Sequence, residues 1–117
     1  MSRVLAFDFG ASTGRAILAE YNGEKIEYNE IHRFDNVLCE QNGMLCWDFD
    51  YLLGEVKKAI SLAENADSLA FDTWGVDYGM LDKDGNLVSK PVCYRDDRTK
   101  GMTDKIYQSV SPSKLYA

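Results

Sequence analysis

The 117-residue chain is poor in proline, histidine and cysteine, and it has no long apolar run. No stretch approaches the ~18 consecutive apolar residues that a membrane span requires, so no membrane association is expected. Two prolines and nine glycines exclude a collagenous or linker-like chain. The N-terminus lacks a basic region followed by a long apolar stretch, which predicts no secretory signal peptide. Three cysteines, Cys39, Cys46 and Cys93, form no C-x-x-C pair. With a single histidine, His32, they make no zinc-site pattern, and they read as reduced thiols of a cytoplasmic protein in or near the core. Bases are outnumbered: thirteen Lys and Arg stand against nineteen Asp and Glu, for a net charge of −6. This argues against a nucleic-acid partner, whose phosphates call for clustered Lys and Arg, though a local anion site is still allowed. What is present is a globular balance. The chain is 45% hydrophobic and 12% aromatic, enough on composition for the core of one domain.

The order of elements predicts an α/β fold. Arg3–Phe9 is a short apolar run, and Gly10-Ala11-Ser12-Thr13-Gly14 has turn chemistry. Residues 15–21 form a second run, and Asn22-Gly23 marks a hairpin. Residues 25–34 alternate, with Ile26, Tyr28, Glu30 and His32 on one face, as in a strand with a wet side. Asp35–Met44 reads as loop with a turn at Asn42-Gly43. Asp50 is a candidate N-cap for an amphipathic helix over 51–65, carried by Leu52, Leu53, Val56, Ala59, Ile60 and Ala63. Gly54 inside it points to close packing or to an indifferent surface position. A strand at 68–73 after that helix implies a crossover and parallel pairing with the first strand. Asp82–Asn86 is a further turn, 99–110 reads as helical, and Ser111-Pro112 opens another helix.

Three segments carry candidate chemistry. Glycines in Asp8-Phe9-Gly10-Ala11-Ser12-Thr13-Gly14-Arg15 let the backbone turn tightly, and successive N–H groups there make an anion cradle. Ser12 and Thr13 add hydroxyl donors, Arg15 adds a charge suited to phosphate, and Asp8 is placed for a water-mediated magnesium contact. The pattern is neither a P-loop nor G-x-G-x-x-G, and the bland reading is a plain hairpin turn. Asp72-Thr73-Trp74-Gly75-Val76-Asp77 lies at a strand end, where ligands of parallel sheets gather. There Trp74 offers an apolar face to a sugar ring, Asp77 accepts hydroxyls and Gly75 leaves room. The alternative is a core tryptophan with solvated acids. In Tyr94-Arg95-Asp96-Asp97-Arg98-Thr99, Arg95 and Asp96 could hold polyol hydroxyls, against a solvated salt-bridged face.

The order of these motifs, together with Glu30-Ile31-His32-Arg33-Phe34, Gln41-Asn42-Gly43 and Trp47-Asp48, resembles the N-terminal part of the FGGY carbohydrate kinases, within them the rhamnulokinases. The Asp-Thr-Trp-Gly-Val-Asp and Tyr-Arg-Asp-x-Arg-Thr segments are the specific ones. The resemblance implies a ribonuclease-H-like, actin-like ATPase fold with a mixed sheet: three antiparallel strands, then parallel crossover strands with helices. It implies ATP and Mg2+ as cofactors and transfer of the γ-phosphate to a ketose, L-rhamnulose for rhamnulokinases. By position, Ala11, Ser12, Thr13, Gly14 and Arg15 would lie on the ATP phosphates, Asp8 near the metal, and Gly75 on the sugar; Trp74, Asp77 and Arg95 are added as sugar neighbours. The family's catalytic base and adenine pocket lie further along, so no catalytic residue is expected among these 117. The chain is expected to be the N-terminal part of the first actin-like domain, inactive alone, with the rest of the same kinase as its partner. Alternatives are an FGGY kinase for xylulose, fuculose or another polyol, a ribonuclease-H-like nuclease using Asp8, Asp72 and Asp77 on two metals, and an actin-like binding module without chemistry.

Overall fold

The computed structural model describes all residues 1–117. Strands β1 (Ser2–Phe9), β2 (Thr13–Tyr21) and β3 (Ile26–Asp35) form an antiparallel meander. A hairpin follows, β4 (Leu38–Gln41) with β5 (Met44–Trp47), and then helix α1 (Phe49–Leu62). Strand β6 (Ser68–Asp72) pairs parallel with β1, giving the sheet order β3-β2-β1-β6. Short helices α2 (Met102–Tyr107) and α3 (Pro112–Leu115) end the chain. The expected α/β class, the three antiparallel strands and the parallel crossover strand are all present.

Helix α1 turns Val56 and Ala59, with Ala63 at its C-cap, onto the sheet face made by Leu5, Phe7 and Ala16. A second cluster of Phe34, Trp47, Leu52 and Cys93 joins the hairpin to that layer. Each large apolar side chain buried in this way contributes about 1.5–3 kcal/mol. Gly54 faces open space on the exposed side of α1, so the surface explanation holds for it. Cys46 and Cys93 are buried, Cys39 is half-buried, and all three are free thiols.

Several expectations need correction. The segment read as loop over 35–44 contains most of a hairpin, because Asn42 (φ 54°) and Gly43 (φ 75°) both take the positive φ of a tight turn. The N-cap of α1 is Asp48, whose Oδ1 accepts the Tyr51 N–H at 3.3 Å; Asp50 sits in the first turn. The helix expected over 99–110 is broken. A 3-10 turn at Asp97–Thr99 is separated from α2 by Gly101, whose φ of 71° is incompatible with a helix interior. The wet face expected on β3 is divided by a bulge. Ala16 pairs with His32 and Ile17 with Glu30, leaving Ile31 extra. His32 therefore turns toward α1, where its Nε2 lies 2.5 Å from Glu55 Oε2, while Glu30 faces away and binds Arg33.

The core is small for the chain's apolar content. Only 12 of the 117 residues are buried, and Phe49, Leu53, Ile60, Leu69 and Phe71 remain exposed. Strand β6 lies at the sheet edge with every residue exposed, so the apolar face it shares with α1 is uncovered on one side. The radius of gyration is 18.6 Å, against about 13 Å for a compact chain of this length.

Candidate functional site

The β1–β2 turn lies at the end of the sheet where β6 also finishes. Its backbone is held almost entirely from the carbonyl side. Gly10 O accepts Asn36 Nδ2 at 2.7 Å and Trp74 Nε1 at 3.0 Å. Ala11 O accepts Arg95 Nη2 at 3.0 Å, Ser12 O accepts the Asn36 N–H at 2.8 Å, and Thr13 O accepts the Gly10 N–H at 2.9 Å. The N–H groups of Ala11 and Ser12 donate to no protein acceptor, and both residues are exposed. The carbonyls of Gly10, Ala11 and Ser12 are thus engaged by the protein, while the Ala11 and Ser12 amides are not.

Thr13 and Gly14 are already strand residues. Gly14 is buried, and a Cβ there would lie 2.3 Å from the Phe34 ring, so its missing side chain serves packing. Asp8 and Arg15 are directly opposed across β1 and β2 and form an ion pair between Asp8 Oδ2 and Arg15 Nη2. In register, Arg33, Arg15, Asp8 and Asp72 make one charged row across the sheet, on the face away from α1. The row leaves Asp8 Oδ1 and the remaining guanidinium nitrogens of Arg15 without protein partners.

Beyond β6 the indoles of Trp47 and Trp74 stack at 3.8 Å with 6° between their planes. Asp77 Oδ2 accepts Trp47 Nε1 at 2.6 Å and the Tyr94 N–H at 3.2 Å, leaving Oδ1 open. A cleft of about 150 Å³ is lined by Trp47, Thr73, Trp74, Asp77 and Tyr78. Gly75 is exposed, and a Cβ there would meet nothing within 4 Å. Arg95 does not line this cleft. Its guanidinium reaches back to Ala11 and lies 5.9 Å from the Trp47 ring centroid.

The turn and the Trp74–Asp77 segment, far apart in sequence, are thus in direct contact. Asp96, read as a polyol ligand, is engaged by backbone instead: Oδ2 accepts Leu45 N–H at 2.7 Å and Oδ1 accepts Arg98 N–H at 2.9 Å. These bonds, the Leu45 amide first, hold its carboxyl below the usual range. Sequence reasoning missed Asn36 and Trp47 as parts of the site. Asparagine just after a strand signals a local backbone bond but not a reach of 26 residues to Gly10.

No family model matches the chain. It is 40% identical over 120 residues to a rhamnulokinase of Halalkalibacterium halodurans, covering 99% of this chain and 26% of that protein. It is 42% identical over 118 residues to a rhamnulokinase of Klebsiella pneumoniae, covering 96% of this chain and 24% of the relative. The chain therefore spans about a quarter of the length of the curated relatives it matches. Among solved structures, a ligand-bound xylulose kinase from Lactobacillus acidophilus superimposes with a TM-score of 0.62 over 92% of this chain and 24% of that one, at 14% identity. The chain is thus similar in sequence to about a quarter of the rhamnulokinases it matches, and it shares its fold with part of a xylulose kinase.

Proposed function

We propose that this chain forms the first part of an ATP-dependent kinase that phosphorylates a ketose, L-rhamnulose before other sugars, and that the rest of the same polypeptide supplies the catalytic base and the adenine pocket. The observation that carries the reading is the turn itself, with unpaired Ala11 and Ser12 amides beside a tryptophan-lined cleft. Phosphoryl transfer is catalysed by positioning and charge neutralisation, and the parts found here suit that task. Ala11 and Ser12 N–H groups and the Ser12 and Thr13 hydroxyls bind phosphate oxygens, Gly14 contributes only backbone, and Arg15 adds charge from the neighbouring strand. In the cleft the Trp74 ring gives an apolar wall and Asp77 Oδ1 accepts a sugar hydroxyl; Gly75, exposed between them in sequence, lets the ring approach, and Arg95 stands outside the cleft on the turn side.

Asp8 retains one free carboxylate oxygen, which fits a hydrated magnesium ion held chiefly by phosphates. When bound, that ion would neutralise charge on the transferring group. The preference for L-rhamnulose is supported by relatives at 40–42% identity. The xylulose kinase likeness, at 14%, speaks for the fold alone. A two-metal nuclease is disfavoured because no three His, Cys, Asp or Glu side chains converge as such a metal cluster would require. No helix is long and apolar enough to cross a membrane.

The test is coupled ADP release by the full-length enzyme over a panel of ketoses. The highest kcat/KM is expected with L-rhamnulose. Turnover of xylulose or fuculose alone would move the substrate, and no ketose-dependent turnover would retire the kinase reading.

A further inference from the structure

The turn offers its amides outward only while its carbonyls are held inward. Three side chains do that holding, and none of them belongs to the turn. Asn36 donates from its side chain to Gly10 O and from its backbone to Ser12 O. Trp74 donates to the same Gly10 carbonyl from 64 residues away. Arg95 reaches Ala11 O from 84 residues away. Trp74 lines the cleft and Arg95 lies outside it, so the turn and the cleft wall are tied by the Trp74–Gly10 hydrogen bond. We propose that Asn36, Trp74 and Arg95 are positioning residues for the phosphate turn, which act on nucleotide binding through the Gly10 and Ala11 carbonyls.

The proposal rests on the kinase reading for its catalytic consequence and assigns the polar groups of Trp74 and Arg95 to the nucleotide side. The Trp74 N–H is engaged by Gly10, one ring face by Trp47, and an edge by Phe9, whose ring centroid is 5.7 Å away. Removing the N–H while keeping an aromatic ring should therefore loosen the turn. Freed of its donors, the Gly10–Ala11 peptide can rotate, and the two unpaired amides then no longer point the same way.

The variants are Asn36→Ala in the full-length enzyme, read by steady-state kinetics in both substrates, and Trp74→Phe, read by hydrogen exchange alone because its ring also lines the cleft. Loss of the Asn36 side-chain hydrogen bond should raise KM for ATP roughly fivefold, with the ketose KM of that variant within about twofold of wild type. A second readout needs no catalysis. Hydrogen exchange of the Gly10 N–H, bonded to Thr13 O, should quicken in both variants without ligand. A rise in ketose KM alone in Asn36→Ala, or unchanged Gly10 exchange in both variants, overturns the proposal. If the wild-type enzyme turns over no ketose, the kinase reading falls and the exchange measurement alone decides whether these residues hold the turn.

Discussion

A Cβ placed on Gly14 would lie 2.3 Å from the Phe34 ring, so β2 passes beneath that ring only because position 14 has no side chain. Phe34 in turn packs with Trp47, Leu52 and Cys93, which places the turn over a fixed platform. Gly14→Ala should force the ring aside and destabilise the protein by about 1–3 kcal/mol, the usual cost of overpacking. A thermal melt checks this; an unchanged midpoint would mean the ring moves freely.

Gly75 is the opposite case. It has open space around it and does not need positive φ. Gly75→Val should leave the melt unchanged while weakening ketose binding by roughly tenfold or more, equivalent to ~1.4 kcal/mol. Parallel melts and sugar titrations on the full-length enzyme distinguish the roles. A lowered melt with normal sugar affinity would make Gly75 a folding residue.

Arg15 is half-exposed and keeps guanidinium nitrogens free beside the turn. Arg15→Ala should mainly raise KM for ATP, since a charge-assisted bond to phosphate is worth roughly 1.5–3 kcal/mol. Equal KM values for mutant and wild type would confine Arg15 to its pairing with Asp8.

Much of this fold is legible in the sequence, because the signals are local. Asn22-Gly23 fixes the β2–β3 hairpin, and the spacing of Leu52, Val56, Ala59 and Ala63 sets the buried face of α1. The bulge at Ile31 is not legible, since it follows from how β3 seats against β2 and α1 together. The site is legible as two separate motifs. Their union is not, because Asn36, Trp74 and Arg95 meet the turn only through the sheet order and the β4–β5 hairpin. The exposure of the apolar residues of β6 is not legible either: Leu69 and Phe71 lie in register with the buried Leu5 and Phe7, and Phe71 stacks on Phe7, yet both stay half-exposed at the sheet edge.

Asp96 links the 3-10 turn to β5 through the Leu45 amide, and those bonds depress its pKa. A depressed folded value means the link stabilises the protein above the ordinary carboxylate pKa of about 3.9 and is lost as pH falls through the folded value. Asp96→Asn should lower the melting temperature at pH 7, and the gap from wild type should narrow below about pH 4. A gap that stays constant down to pH 3 would contradict the assignment.

The isolated 117-residue chain should show no ketose- and ATP-dependent ADP release. Absence of a general base alone removes about 10²–10⁴-fold in rate, and this chain spans only a quarter of its relatives. Turnover by the purified chain would place the proton acceptor among these residues.

The central claim is that the Ala11 and Ser12 amides receive the nucleotide phosphates. The most direct measurement is a crystal structure of the full-length enzyme with magnesium and a non-hydrolysable ATP analogue. Phosphate oxygens are expected within about 2.7–3.2 Å of both amide nitrogens, with Gly10 O still bonded to Asn36 and Trp74. Phosphates bound elsewhere, with both amides facing only water, would contradict the account.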